Sequence, residues 1–269
     1  MKTHPRNKYT LDELFLHTFV YVDDWLKAHE ERLDLPRQAA QVASYSELFT
    51  IALVGEMQAQ PFESVWYRFV KDNLTCLFPR LPHYSRYHRT LRKAEKLFAE
   101  LAISMVQEAS IRILDSKPLP IAKGKRTKWA RCLDAARGFS TMGMVYGFKL
   151  HSLVTEQGLF ERWLYAPADV ADITAGRELV LGLKSKYILG DKAYIGMGII
   201  TPKRKNMKDS ESWTPLLNKL RKRVETSFSS LVRSFNLHAA QVKTFASLRT
   251  RINIKIAAFN LLHSGGLLD

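Results

Sequence analysis

A chain of 269 residues with 46% hydrophobic and 11% aromatic content can bury one large core or two modest ones, which excludes a disordered protein. Its formal charge of +15, from 41 Lys and Arg against 26 Asp and Glu, points to a polyanionic partner, nucleic acid before an acidic membrane surface. Cys76 and Cys132 are the only cysteines, which excludes a disulfide scaffold or a cysteine zinc site and suits a reducing cytoplasm.

No apolar run reaches the ~18–20 residues needed to span a bilayer. Met1 to Thr10 are polar and basic, so no secretory signal and no membrane partner are expected. From Tyr9 to about Glu30, Leu11, Leu14, Phe15, Phe19, Val22 and Trp25 recur at helical spacing, and Leu35-Pro36 breaks the pattern. Ser44-Tyr45-Ser46-Glu47 has the capping-box pattern, and the apolar run Leu48 to Met57 follows as a helix. Pro61 suits the first turn of the next helix, where Val65, Trp66, Phe69 and Val70 form a stripe. Phe78-Pro79 and Leu81-Pro82 make a rigid connector. One long helix is expected from about Ser85 to Glu108, basic in its first half through Arg86, Arg89, Arg92, Lys93 and Lys96. Residues 1–109 therefore read as an all-helical region. It fits a helix-turn-helix-like DNA-binding module and a plain helical bundle equally well.

The pattern changes at residue 110. Ile111 to Asp115 reads as a strand that ends in a carboxylate and is closed by Pro118 and Pro120. Lys117 to Cys132 contains Lys117, Lys123, Lys125, Arg126, Lys128 and Arg131, with Trp129 among them and no acid. It reads as a basic loop for phosphates with an aromatic ring for base stacking. Met144 to Thr155 and Leu159 to Tyr165 alternate around Gln157-Gly158 as an antiparallel hairpin. Asp169 to Leu183 reads as a helix with Asp169 or Asp172 as its cap. Tyr187 to Leu189 is a short strand, ended by Gly190, with Asp191 at its tip. Ile199 to Thr201 is a last strand, and Lys203, Arg204 and Lys205 stand in a second basic loop. Trp213 to Phe235 and Phe245 to Leu262 close the chain as helices. The order over 110–269 is that of a ribonuclease-H-like fold: a mixed five-stranded α/β sheet with flanking helices. Its first and fourth strands end side by side, and ligands gather at such ends.

Two strand-tip aspartates, Asp115 and Asp191, and a helical glutamate, Glu225, point to a cage for divalent metal on a nucleic-acid enzyme. Cutting a phosphodiester needs an activated water or hydroxyl and shielding of phosphate charge. Two Mg²⁺ ions roughly 3.5–4 Å apart supply both, held by two or three carboxylates. Mn²⁺ is the expected substitute. Glu211 is the rival for Glu225. His151, on a half-buried strand, reads as structural before DNA-contacting.

Several stretches taken together resemble a family. They are Asp115-Ser116-x-Pro118-Leu119-Pro120, Tyr146-Gly147-Phe148-Lys149-Leu150-His151 and Leu189-Gly190-Asp191-Lys192-Ala193-Tyr194. Thr201-Pro202-Lys203-Arg204-Lys205-Asn206 and Lys222-Arg223-Val224-Glu225-Thr226-x-Phe228 add to them. In this order they resemble bacterial insertion-sequence transposases of the DDE type, most of all the insertion-sequence nine-eighty-two branch. The resemblance implies metal-dependent cleavage at element ends, then strand transfer of the 3′-hydroxyl into target DNA. It implies that Asp115, Asp191 and Glu225 are catalytic and hold the metals, Glu225 standing 34 residues after Asp191 (225 − 191). Arg221 stands one turn before Glu225, where it would face the same phosphate. Asn218 and Val232 stand where many relatives carry Tyr and Lys. The implied partners are terminal inverted repeats and target DNA, bound by a dimer or larger assembly in the bacterial cytoplasm, at the nucleoid. A transposase-derived DNA-binding protein without catalysis, or a nuclease that cuts without joining, are the other readings.

Overall fold

The computed structural model describes residues 9–31, 42–122, 128–129, 132–140, 143–183, 187–202, 214–239, 242 and 244–267. Its helices are α1 (Leu11–Ala28), α2 (Tyr45–Met57), α3 (Glu63–Asn73), α4 (Tyr84–Lys93), α5 (Glu95–Ser104), α6 (Asp172–Val180), α7 (Pro215–Ser234) and α8 (Phe245–His263). Its strands are β1 (Ile111–Ala122), β2 (Ala136–Ser140), β3 (Gly143–Thr155), β4 (Phe160–Pro167) and β5 (Tyr187–Leu189). The chain divides into two compact units. The first comprises Met1–Met105, Arg233–Gln241 and Ala246–Asp269; the second comprises Val106–Val232 and Val242–Phe245.

The first unit is helical. Thr10 and Ser44 close capping boxes with Glu13 and Glu47, so the first turns of α1 and α2 satisfy their own free N–H groups. Apolar residues surround α2, and it is buried from Leu48 to Met57. The last helix is buried on every side from Thr250 to Leu262. Such a helix needs neighbours all round. Chain order groups α8 with the sheet region, 110–269; its contacts put all but its first residue in the helical unit. Its polar side chains show why: Arg249 and Asn253 bind Glu95 at 2.9 and 2.5 Å, and Asn260 donates to the Ala102 carbonyl at 2.9 Å.

Three local expectations need correction. The long helix from Ser85 to Glu108 is two helices, because Ala94 leaves helical geometry (φ −87°, ψ 13°) and ends one as it starts the other. Pro61 lies before the N-cap Phe62 rather than in the first turn of α3. Of the α3 stripe, Trp66 and Val70 are buried while Val65 and Phe69 are exposed.

A charged cluster lies inside this unit. Glu56, on α2, receives Arg251 at 2.7 Å and the ammonium of Lys255, which also donates to the Phe235 carbonyl at 2.6 Å. All three side chains are almost wholly out of water. Burial pushes Lys255 down to about 8, against the pull of Glu56.

The second unit is a mixed five-stranded sheet in the order β2-β3-β1-β5, with β4 also paired to β3. The hairpin expected from alternation is present: β3 and β4 are antiparallel, with a bulge between Leu153 and Val154. Two differences concern the strands. β2 is an additional strand, antiparallel to β3. Ile199–Thr201 forms no strand, only a parallel bridge from Ile200 to Leu189.

The first strand does not stop at Asp115. It runs to Ala122, through both prolines, antiparallel to β3. The backbone explains this. Tyr187 N–H donates to the Ser110 carbonyl, and Glu156 N–H donates to the Ile111 carbonyl. Alternation therefore turns the even-numbered backbone groups of β1 toward β5 and the odd ones toward β3. Pro118 and Pro120 lack their N–H on the β5 side, and β5 pairs only with Ile111 to Ile113. A proline is tolerated where the missing donor faces an unpaired edge.

Glu56→Ala would leave two buried cations without their carboxylate. Loss of about 3–5 kcal/mol of stability in urea denaturation is expected. Pairing it with Lys255→Met would recover part of that loss.

Candidate active site

Pairing brings two of the three acids together. β1 and β5 run parallel with Ile113 opposite Leu189. Two residues further on, Asp115 follows one strand and Asp191 the other, so they share the same end of adjacent strands. Adjacent strands lie about 4.8 Å apart. Asp115 is thus mid-strand on β1 yet at the tip of the two-strand pairing.

Each neighbour of Asp115 follows from the pleat. Leu114 and Leu153 pair across β1 and β3 and pack with Leu179 of α6 and with Tyr194. Asp115 points to the opposite face, beside Ser152. Helix α7 covers that face: Phe228 meets Phe160 edge-on at 5.5 Å, and Ser227 Oγ donates to the Gly158 carbonyl at 2.7 Å. Val224, Phe228 and Leu231 are the buried stripe of α7. Glu225 stands beside that stripe, 47% exposed, in a 2.8 Å ion pair with Arg221 one turn earlier.

The electrostatics tie these groups together. Burial pushes the Asp115 carboxyl up from 3.8 to about 7. The Ser116 N–H, donating at 2.8 Å, opposes the rise. The charges of Asp191 and Glu225 add to it, and Arg221 subtracts. Asp191, Glu225 and Arg221 therefore all lie within reach of Asp115.

The loop holding Asp191 is tightly built. Asp191 accepts from Ala193 N–H at 2.8 Å and caps the 3₁₀ turn Lys192–Tyr194. Gly190 N–H donates to the Ile200 carbonyl at 2.9 Å, and Ile200 N–H donates to Ile188 at 2.9 Å. A Cβ on Gly190 would come within 2.8 Å of Ile199 Cδ1, so glycine lets this crossing close. Tyr194 is buried, and burial followed by the charges of Asp115, Asp172 and Asp191 raises its phenol far above the ordinary value.

Other candidates are placed as follows. His151 is fully buried opposite Ser116, and neither ring nitrogen has a hydrogen-bond partner among the described residues. Burial pushes it down to about 4, so its ring is neutral at pH 7. Asp172 is not the α6 cap; that position is Ala171, with no side-chain bond. Instead Asp172 accepts from Lys149 at 2.9 Å, and Lys149 also donates to the Val170 carbonyl at 2.8 Å. This tie between β3 and the start of α6 had no signal in the sequence, since the residues lie 23 positions apart. Lys128 and Trp129 are exposed. Lys123, Lys125, Arg126, Arg131, Lys203, Arg204, Lys205 and Glu211 lie outside the described residues.

The donor set suits a hard divalent cation, since Asp115, Asp191 and Glu225 offer only oxygen. The raised Asp115 is what a buried carboxylate shows beside like charges. Among the described residues no three acids or histidines converge closely enough to ligate one ion. Glu225 is turned to Arg221 instead.

The chain matches the family model described as "Transposase DDE domain" over residues 105–242, just over half its length. That span takes in Asp115, Asp191 and Glu225. No curated protein matches it, and no solved structure does.

Asp115 sets a pH dependence. Between pH 4 and 7 the folded chain keeps a proton that the unfolded chain releases, so stability falls as pH rises through that window. Asp115→Asn is expected to remove this slope and to be more stable than the parent above pH 7, by about 1–3 kcal/mol in metal-free denaturation.

Proposed function

Since this chain belongs to the transposase DDE-domain family, we propose that it cuts DNA at the ends of an insertion sequence and transfers the 3′ ends into target DNA. The observation that carries this reading is the pair Asp115 and Asp191 on adjacent parallel strands, with Glu225 and Arg221 inside the field of Asp115. A mixed five-stranded sheet with flanking helices supports a ribonuclease-H-like fold. The ordered stretches around the three acids support the insertion-sequence nine-eighty-two branch.

In this reading Asp115, Asp191 and Glu225 hold Mg²⁺, or Mn²⁺ in its place. The metal, when bound, supplies Lewis-acid activation of water or hydroxyl and shields phosphate charge. The chain's own groups do the rest. Asp115 and Asp191 present carboxylate oxygens from the same end of two paired strands, and the Ser116 and Ala193 N–H groups each hold one carboxylate in place. Arg221 exchanges its pairing with Glu225 for a phosphate, which frees Glu225 to turn toward the aspartates. Lys128 and Arg221, with Lys123, Lys125, Arg126, Arg131, Lys203, Arg204 and Lys205, track the DNA backbone. The N-terminal helices recognise the terminal repeats. Two ends must be paired, so the working form is a dimer or larger on DNA.

The test is cleavage and joining of a duplex carrying the element's end, with Mg²⁺ or Mn²⁺, by the parent chain and by Asp191→Asn. Both products are expected from the parent and neither from the variant. Binding without cleavage in both would leave a DNA-binding descendant. Hydrolysed ends without joined target would leave a nuclease. Cleavage that survives the substitution would place the active site elsewhere. Affinity is also expected to drop steeply with salt in a log–log titration, and a flat response would remove the phosphate contacts from the account.

A further inference from the structure

We propose that the outer end of the β2–β3 hairpin is a wedge that enters a base step of bound duplex DNA, with Phe139 and Met144 as the inserting side chains. This rests on the transposase reading for its partner and goes beyond it in naming a second contact, away from the acids.

Phe139 is 78% exposed and Met144 65%. They stand directly opposite each other across the two strands, so they form one apolar pair. Leaving two large apolar side chains in water forgoes the favourable free energy of burying them. A loose strand is not the cause. Next to them in sequence and on the other face, Gly138 and Val145 are buried. A Cβ on Gly138 would lie 1.9 Å from the Ala168 carbonyl oxygen, so the inner face is pressed against the chain and the outer pair is held out.

The surroundings are cationic. Arg137 and Tyr146 are the next pair on the same face, with the guanidinium 5.9 Å from the ring centre. The Tyr146 hydroxyl meets the Cys132 backbone at 3.4 Å, and Leu133 beside it is fully exposed. Among the described residues of 128–140, Lys128 and Arg137 are exposed against one acid, Asp134. A patch with this sign, on a chain of +15, repels a second copy and attracts phosphate. Apolar side chains flanked by cations are what inserts between base steps.

The position relative to the acids is also defined. Met144 and Ser152 lie on one face of β3, and Ser152 pairs with Asp115. Eight strand residues span about 26 Å. That corresponds to about eight base pairs at 3.4 Å each, so the wedge acts within one helical turn of the cut phosphate.

Permanganate oxidises thymines that have lost their stacking, and it reads the wedge without knowledge of its site. The 269-residue chain is bound at low salt, without divalent metal, to a duplex of alternating A and T, whose TA steps open easily. Thymine oxidation is expected to rise on binding. Phe139→Ala/Met144→Ala should return it to the free-duplex level while affinity falls less than about threefold, since phosphate contacts carry non-specific binding. Phe139→Trp should keep the signal. Bound duplex whose thymines stay unreactive, or a double variant that oxidises them as the parent does, overturns the wedge. A DNA-free dimer dispersed by the double substitution would assign the patch to a second copy and overturn it too. Unstacking without metal-dependent cleavage would keep the wedge and remove the transposase reading.

Discussion

Three residue pairs hold the candidate site together. Ile111, Arg112 and Ile113 of β1 lie parallel to Tyr187, Ile188 and Leu189 of β5, and beyond them Asp115 and Asp191 stand side by side. Parallel pairing cannot be made by a turn; it needs a crossover, here the chain through β2, β3, β4 and α6. So short a pairing is reinforced on its far side. The Ile200 backbone bonds both Ile188 and Gly190, and the missing side chain of Gly190 lets Ile199 and Tyr194 close around it. If this junction slips by one residue, one carboxylate turns to the opposite face of the sheet.

The same junction carries an electrostatic conflict. Asp115, half-buried, is raised first by its loss of solvent and then by Asp191 and Glu225, and is relieved by Ser116 N–H and Arg221. A chain optimised for stability alone would not keep this arrangement; conflict of that kind concentrates where function demands it. The helical unit treats its charges differently. Glu56 there is matched by Arg251 and Lys255 within the same buried cluster, and Lys255 finds the Phe235 carbonyl as well. One cluster is closed on itself. The other sets one cation, Arg221, against three carboxylates, an imbalance that a divalent ion or a phosphate with its metal would offset.

The edge of β1 past Ile113 has a related consequence. Among the described residues no strand pairs with its even-numbered backbone groups, and two of its residues there are prolines that offer no donor. An exposed strand edge invites pairing with other chains, and proline blunts it. The strand can therefore extend past Asp115, support β3 and the β2 hairpin, and remain unpaired on its outer side.

Periodicity, caps and breakers are local, and what depends on them was legible in the sequence: the helices around Leu11, Leu48, Leu217 and Ile252, the Ser44 capping box, and the β3–β4 hairpin. The family stretches are local too, and the resemblance they carry implies Asp115, Asp191 and Glu225 as the candidate site. What only the tertiary structure decided joins residues far apart. Pro118 and Pro120 look like the end of a strand until the unpaired side of β1 is known. Glu56 is one acid in an apolar run until Arg251 and Lys255 meet it across nearly two hundred residues. The last helix sits in the helical unit because it needs apolar cover on every side. Phe139 and Val145 look alike as strand formers, yet one is held in solvent and the other buried. A local pattern says which residues prefer to be covered. Only the packed chain says what covers them, because that is settled by loop closure and pairing among distant segments.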